Sequence, residues 1–342
     1  MTVIATIPGD GIGREVLPEA LATLDVFGLG IRYEVLDHVN ADTYLRTGTA
    51  LAEDDLRRVC ASRAALVGAV GDPRVRTPDY ARGVLLRLRS ECDLFVNHRP
   101  VKLLNDRLSP LRDEKRRTVD CVIVRENTEG LYAGVGGVLR GGGEAETALD
   151  VEVNTYPGVS RIIEYAFAVA RTGVCLVDKS NAVPYGGSLW QRCWAEQRDR
   201  HPHLKTDHLY VDNAAMQLVT DPTRFDVIVA NNSHGDILSD LAAQLAGGLG
   251  TAPSANLNPV TGFGLYEPVH GSAPDIAGTG MANPIGAVLS AALLLDDLGH
   301  PGEAEAVRRA VARCVAEYRC TPDLGGTLTT KDAGDAIRAV LQ

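Results

Sequence analysis

Val3-Ile4-Ala5-Thr6-Ile7, followed by Pro8-Gly9-Asp10-Gly11-Ile12-Gly13, is the stretch whose reading decides the fold class. A short apolar run, a Pro/Gly turn and then helix-spaced apolar residues over Glu15–Phe27 predict strand, turn and helix in succession. The pattern recurs. Leu66–Val70 is a second buried strand ending in Gly71-Asp72-Pro73, Val84–Cys92 reads as a helix, and Leu94–Val96 opens the next strand. Val119–Arg125, Gly173–Val177, His208–Val211 and Val227–Ala230 are further strand-like runs. Helix-like Ser160–Arg171, Ser188–Gln197 and Asp236–Ala246 separate most of them. Strands alternating with helices predict an α/β fold with a largely parallel sheet. Gly134–Tyr156 breaks the alternation: the glycine cluster at 141–143 and the β-patterned Ala148–Asn154 read as an antiparallel hairpin, either a protruding arm or a surface loop.

The first turn lies where a dinucleotide phosphate loop would sit. It is G-x-G-x-G rather than G-x-G-x-x-G, however, and no G-x-x-x-x-G-K-[ST] loop occurs elsewhere. A tight strand-to-helix bend explains it, and an ordinary Rossmann site is not supported.

At 342 residues the chain is long enough for about two domains of ~150 residues. Its longest apolar run, Ala287–Leu295, falls well short of the ~20 residues of a bilayer span, so no membrane role is expected. The N-terminus lacks the pattern of a secretory signal. The seven cysteines are scattered without a C-x-x-C, as reduced thiols in a cytoplasmic protein would be. Thirty-four Lys and Arg against 44 Asp and Glu leave a formal charge of −10, which argues against nucleic acid as a partner. It does not argue against a small anionic substrate, which needs only a local cationic pocket.

Four constellations carry chemistry. In Asn232-Ser233-His234-Gly235-Asp236-Ile237-Leu238-Ser239-Asp240, Asp236 and Asp240 are four apart on one helical face. Carboxylates at that spacing repel unless a cation lies between them, and an all-oxygen donor set suits Mg²⁺ or Mn²⁺. Asp212, after the strand His208–Val211, is a candidate third ligand. The alternative is a solvated acidic helix start. Arg82, Arg87 and Arg89 share a predicted helix, while Arg99 and Arg125 sit on strands. Converging guanidiniums would clamp a di- or tricarboxylate, whereas scattered surface arginines are the alternative, best suited to Arg87. Lys179, in Val177-Asp178-Lys179-Ser180-Asn181, follows a buried strand and needs a charged partner or a function there. Desolvation would fit it as a general base, and Tyr132 in Arg125–Tyr132 could donate a proton. Finally, Glu267–Gly278, continuing to Asn283-Pro284, reads as a binding loop rich in small residues.

In this order the pieces resemble the β-decarboxylating dehydrogenases, the isocitrate and 3-isopropylmalate dehydrogenase family, from Ile4 to about Thr330; Asn232–Gly250 and Glu267–Pro284 carry the likeness most closely. From Arg82 to Arg89 onward the chain looks most like 3-isopropylmalate dehydrogenases of the actinobacterial type. The resemblance implies two subdomains sharing one continuous mixed sheet: residues 1–95 plus 249–342 for NAD, and 96–248 for dimerisation, metal and substrate, with an arm at about 134–156. It implies a homodimer in which Lys179 and Asp212 serve the neighbouring subunit's site. The implied reaction is NAD-dependent oxidative decarboxylation of a 3-substituted malate, a small hydroxy-dicarboxylate. Asp212, Asp236 and Asp240 would hold Mg²⁺ or Mn²⁺, Lys179 would remove the hydroxyl proton, and Tyr132 would protonate C3. Arg89, Arg99 and Arg125 would hold the carboxylates, and Asn181 lies in the substrate-binding segment. Glu267, His270, Gly271, Ser272, Ala273 and Asn283 would line the cofactor site.

NADP-dependent members carry Lys-Tyr where this chain has Asp275-Ile276. A carboxylate suits free ribose hydroxyls but repels a 2′-phosphate, by ~1 kcal/mol at 4 Å in water and ~4 kcal/mol at an effective dielectric of 20, so NAD should be preferred by roughly one to three powers of ten. Leu85, Leu86 and the partner's Ala182 would surround the C3 substituent, and apolar leucines favour an alkyl group. Ala182 for a usual Val, Ser233-His234 for Leu-Phe, and a missing Glu near Ala81–Arg82 depart from the family pattern. Arg82 could therefore receive an added anion, as in homoisocitrate, isocitrate or phosphonomethylmalate; tartrate or malate is a further alternative substrate. A silent regulatory subunit would have lost Lys179, Tyr132 or the aspartates, and all are present.

Overall fold

The computed structural model describes residues 2–342. Strand β1 (Thr2–Gly9) leads through the glycine turn into α1 (Gly13–Asp25), then β2 (Ile31–Val35), α2 (Ala41–Thr47), α3 (Glu53–Ala61) and β3 (Ala64–Ala69). Next, α4 (Asp79–Ala81), a π-helical turn (Arg82–Leu86) and α5 (Arg87–Glu91) run on without leaving helical dihedrals. The middle of the chain supplies β4 (Val96–Lys102), β5 (Asp120–Glu126), β6 (Gly136–Leu139), β7 (Thr147–Asp150), α6 (Tyr156–Val169), β8 (Gly173–Asp178) and α7 (Pro184–Arg200). It continues with β9 (Lys205–Tyr210), α8 (Val211–Thr220), β10 (Val227–Ala230) and α9 (Asn232–Leu245). The C-terminal part contains β11 (Pro253–Asn258), β12 (Phe263–Pro268), α10 (Ile285–Asp297), α11 (Pro301–Ala316) and α12 (Thr330–Leu341).

Ten strands form one sheet in the order β2-β1-β3-β12-β11-β4-β5-β10-β8-β9. The sheet is largely parallel, as the alternation predicts, and mixed, as the resemblance implies, with the antiparallel pairs at its centre. Pairs within β2-β1-β3-β12 and within β5-β10-β8-β9 are parallel, but β12–β11, β11–β4 and β4–β5 are antiparallel. The sheet is therefore mixed, two parallel flanks joined through an antiparallel seam. The seam was hidden because β11 places Ser254, Asn256 and Asn258 in the interior, so its sequence does not read as a buried apolar run.

The core divides along the same line. Ile4, Leu17, Val288 and Val311 pack on one face of the first flank, and Ile7, Leu36, Val67 and Leu88 on the other. On the second flank Val124, Ile162, Leu176 and Trp190 fill one face, and Ile123, Ile228, Leu238 and Leu245 the other. Burial on both faces is why the parallel strands read as unbroken apolar runs. The residues at 134–156 do form an antiparallel hairpin, β6–β7, anchored at its base by Gly130 pairing with Val153. Every residue of its strands is exposed, including Val138, Leu139 and Leu149. Among the described residues no helix is long and apolar enough to cross a membrane.

The glycine turn is a structural bend. A Cβ on Gly9, at φ +69°, would lie 1.9 Å from the Ala69 carbonyl oxygen. The turn's amides are already engaged: Asp10 N with Ala69 O, Ile12 N with Ser272 O and Gly13 N with Asp10 O. The Asp10 carboxylate accepts from the Ala41 and Gly71 amides and the Tyr80 hydroxyl. Those three amides are therefore not free for a phosphate.

Candidate active site

The site grows from β4, β5 and α9. The α9 helix starts at Asn232, four residues before Asp236, with the Asn231 side chain accepting from His234 N at its N-cap. Asp236 is therefore beyond the first turn, which removes the acidic-helix-start alternative. Gly235 lets α9 lie directly on β5, since a Cβ there would be 2.7 Å from the Cβ of Arg125. That contact brings the Arg125 guanidinium to the helix face carrying both aspartates.

Arg125, 3% exposed at its side chain, donates through Nε and Nη2 to Asn232 Oδ1 (2.9 and 2.7 Å) and through Nη1 to Asp236 Oδ1. Arg99, 8% exposed, donates to Asn97 Oδ1 (2.6 Å) and Ser239 Oγ (2.6 Å) and lies 3.3 Å from Asp240 and 3.4 Å from Asp236. Arg89 donates to Glu267 Oε1 at 2.9 Å. Burial, and then the charges of Arg99 and Arg89, pull the Arg125 guanidinium down to about 9. Burial also holds the Asp240 carboxyl above its usual range; Arg99 works against this, and Asp236 adds to it. These shifts mark a crowded set of charges short of solvent.

Tyr132 is held over α9 by a short 3₁₀ turn. Glu126 accepts from Thr128 N and Glu129 N, shaping the loop after β5. The Tyr132 hydroxyl then reaches Asp236 Oδ2 at 3.3 Å, with the Arg125 guanidinium 5.6 Å from its ring centroid. Burial and Asp236 raise the Tyr132 phenol, keeping it protonated.

The structure does not gather all the expected residues. Lys179 follows β8, and its Nζ pairs with Asp212 Oδ1 at 2.5 Å, with side-chain exposures of 29% and 64%. The Lys179 bond holds the Asp212 carboxyl below its usual range. The charged partner that Lys179 needs is thus Asp212, and the lysine side chain itself is part-buried. Among the described residues no three His, Cys, Asp or Glu assemble as a metal-ligating group, so Asp212 does not join Asp236 and Asp240 within one chain. Asn181 and Ala182 are exposed beside Lys179. Leu85 and Leu86 are half-buried on the π-helical turn. Arg82 is exposed and packs toward Gly134 without an ion pair among the described residues. Arg87 is engaged elsewhere, with Glu53 and the Leu51 carbonyl, as the surface reading has it. His234 lines a cavity of about 20 Å³ with Lys179, Asp178, Glu152 and Asn231; its Nδ1 has no partner.

On the other flank, the loop after β12 carries His270, whose Nε2 is buried without a partner while Nδ1 meets Gly271 O at 2.9 Å. Gly271 and Asp275 are exposed, and Ser272, Ala273 and Ile276 half-buried. Glu15 ties the loop to α1 by accepting from Gly278 N and Gly280 N. The Asn283 side chain donates to Asp323 and accepts from Ile285 N, which leaves it one further N–H and one lone pair. Glu267, expected in this loop, instead ends β12 and turns to Arg89 and Asn256. Asn97, Asn232, Ser239 and Asn256, all buried in the site's hydrogen bonding, were missed; a buried asparagine leaves no mark in hydrophobic periodicity.

A profile described as isocitrate/isopropylmalate dehydrogenase matches residues 3–337. The chain belongs to that family. The 3-isopropylmalate dehydrogenase of Leifsonia xyli is 47% identical, covering 98% of this chain and 97% of its own length, and that of Streptomyces coelicolor is 45% identical, covering 97% and 98%. Among solved structures, isocitrate dehydrogenase from Methylococcus capsulatus superposes with a TM-score of 0.91 at 35% identity over 100% of this chain and 99% of that one. The β-decarboxylating dehydrogenase of Thermococcus kodakarensis gives 0.82 at 37% identity, covering 100% and 96%. The fold of this family member is that of the isocitrate/isopropylmalate dehydrogenases.

Proposed function

We propose that the chain catalyses NAD-dependent oxidative decarboxylation of 3-isopropylmalate or a close 3-alkylmalate, yielding a 2-oxo acid, CO₂ and NADH. The observation that carries this is the convergence of buried Arg99 and Arg125 on the α9 aspartates, with family membership and 3-isopropylmalate dehydrogenases as full-length relatives beside it. We infer that residues 1–95 with 249–342 form the NAD-binding subdomain and that 96–248 form the subdomain for metal, substrate and dimerisation.

The donor set fits a hard divalent cation. Asp236 and Asp240 offer oxygens from one helix face, and each is already met by a guanidinium, a sign that the pair requires positive charge. Asp212 of the partner subunit would complete the set. An isolated two-stranded hairpin with exposed valines and leucines is marginal in water, so a second copy is the natural cover for β6–β7. On the NAD side, the unpartnered His270 Nε2 and the exposed Asp275 fit an adenosine whose ribose hydroxyls are free.

When bound, Mg²⁺ or Mn²⁺ supplies Lewis-acid polarisation and NAD⁺ supplies the hydride acceptor. The remaining work falls to the chain's own residues. Arg89, Arg99 and Arg125 orient the substrate carboxylates, since forked guanidiniums fix both position and angle. Lys179 of the partner subunit, as the neutral amine, would accept the hydroxyl proton and become an ammonium that Asp212 can pair with. Tyr132, kept protonated by burial and by Asp236, delivers its proton to C3 as CO₂ departs. Leu85 and Leu86 receive the alkyl substituent. The free thiols of all seven cysteines suit a cytoplasmic setting.

NADH formation over a panel of 3-substituted malates, with Mn²⁺ or Mg²⁺, tests the reading. Turnover is expected to be highest for 3-isopropylmalate or another 3-alkylmalate. Arg82, exposed and without an ion pair among the described residues, motivates the second reading, an anionic substituent; selective turnover of homoisocitrate, isocitrate or a phosphonate analogue would replace the first.

A further inference from the structure

We infer that Asn256 is a positioning residue, whose carboxamide sets Arg89 and Arg99 relative to one another across the antiparallel seam. The inference rests on the proposed role of these arginines as the substrate's carboxylate clamp.

Register puts the parts on one face. Asn256 on β11 stands opposite Leu265 on β12 and Asn97 on β4, and Asn97 stands opposite Arg125 on β5. Directly opposed residues share a face, as do residues two apart on a strand, so Glu267, Asn256, Asn97, Arg99 and Arg125 lie on one face of the sheet. Asn97 and Asn256 are fully buried.

The hydrogen bonds among them are polarised from end to end. Glu267 Oε1 accepts from Arg89 Nη2 (2.9 Å) and from Asn256 Nδ2 (2.9 Å). The second hydrogen of Asn256 Nδ2 faces the Leu265 carbonyl (3.2 Å), while Oδ1 accepts from Asn97 Nδ2 (2.8 Å) and Asn127 Nδ2 (2.9 Å). Asn97 Oδ1 in turn accepts from Arg99 Nε at 2.6 Å, and its Nδ2 also reaches Ser254 Oγ at 3.0 Å. A carboxylate can only accept and a guanidinium can only donate. Those two ends therefore force the orientation of both amides between them, and flipping either would set like poles together where water cannot enter. The Asn256 carboxamide uses both donors and both acceptor positions. Backbone ladders already join β12, β11 and β4, so strand pairing does not require this side-chain chain. What the chain adds is a fixed separation and orientation of two cations drawn from opposite flanks: Arg89 through Glu267, and Arg99 through Asn97.

Asn256→Asp keeps the volume but turns a second acceptor toward Glu267. The KM for 3-isopropylmalate is expected to rise ~10–100-fold, the range a charge-assisted hydrogen bond spans, while the KM for NAD⁺ stays within ~2-fold. Asn256→Ser, too short to bridge, should raise the hydroxy-acid KM ~3–10-fold and serves if the aspartate variant does not fold. Ser254→Ala, which leaves the chain of amides whole, should move neither KM by more than ~2-fold. Folded Asn256 variants with both KM values unchanged, or with both raised equally, would overturn the inference. If the parent enzyme oxidises no 3-alkylmalate, the functional reading fails separately, and crystal structures of parent and Asn256→Asp decide. Arg89 still on Glu267 and Arg99 still on Asn97 would refute the coupling, and displacement of either would support it.

Discussion

The centre of the sheet and its β8 side carry charge in opposite ways. At β4 and β5, Arg99 and Arg125 are buried and each is met by partners within its own chain, Asn97, Asn232, Ser239 and the α9 aspartates. After β8, part-buried Lys179 and exposed Asp212 meet chiefly each other. The difference separates two tasks. Guanidiniums that must hold a dicarboxylate at a fixed angle gain from burial and extra hydrogen bonds, because preorganisation removes motion from the bound state. A base that must take a proton gains from a flexible stem and a single partner it can leave. The buried cluster is complete in one chain, whereas on the proposed reading the open pair is half of a site that a second copy would complete.

The sharpest way to break this comparison is to remove the open lysine. Lys179→Ala is expected to lower kcat by ~10²–10⁴-fold, the usual worth of a positioned base, with the melting temperature unchanged because its partner Asp212 is exposed. Full activity in that variant would eliminate Lys179 as the base. On the other flank, the exposed Asp275 acts by charge alone. Asp275→Lys with Ile276→Tyr should shift the ratio of kcat/KM for NADP⁺ over NAD⁺ upward by ~10–10³-fold. Steady-state kinetics showing the parent's preference would refute that contact.

Whether the open pair serves a neighbour can be read from mixed subunits. Lys179→Ala and Asp236→Asn chains, each inactive alone, should on co-refolding recover about a quarter of parental activity, since half the dimers are mixed and each holds one intact site. No recovery would place Lys179 and Asp236 in the same chain's site. The smallest effect concerns His98, which neighbours Arg99 on β4 but has Tyr165 for a partner instead of a carboxylate. Burial pushes the His98 imidazole down to about 4 from an ordinary 6.5. Between those values the unfolded chain binds a proton that the folded chain refuses, so stability falls as pH drops from 6.5 toward 4 and the slope ends below it. His98→Gln should remove about 3 kcal/mol of that acid-side loss in denaturant titrations. An unchanged pH profile would show that His98 titrates normally.

Much of this was legible in the residues. Strands and helices of the parallel flanks were placed because burial on both faces leaves unbroken apolar runs, and D-x-x-x-D marked one face of α9 because helical geometry makes spacing a direction. The hairpin at 134–156 was visible from its glycines and alternation. The antiparallel seam was not, since β11 fills its interior with asparagine and serine. Glu267 was placed with the loop it precedes, and only the pairing of β12 with β11 turns it toward Arg89 and Asn256.

By itself, then, the order of residues determined the fold class, the family and the residue types available for chemistry, because periodicity and local spacing act over a turn or a strand. Which of those groups meet was decided only by tertiary structure. Arg125 lies 111 positions from Asp236, and Arg89 lies 178 from Glu267. Such encounters depend on strand order and register, which no local pattern encodes, and burial then sets how strongly each charge needs the partner it finds.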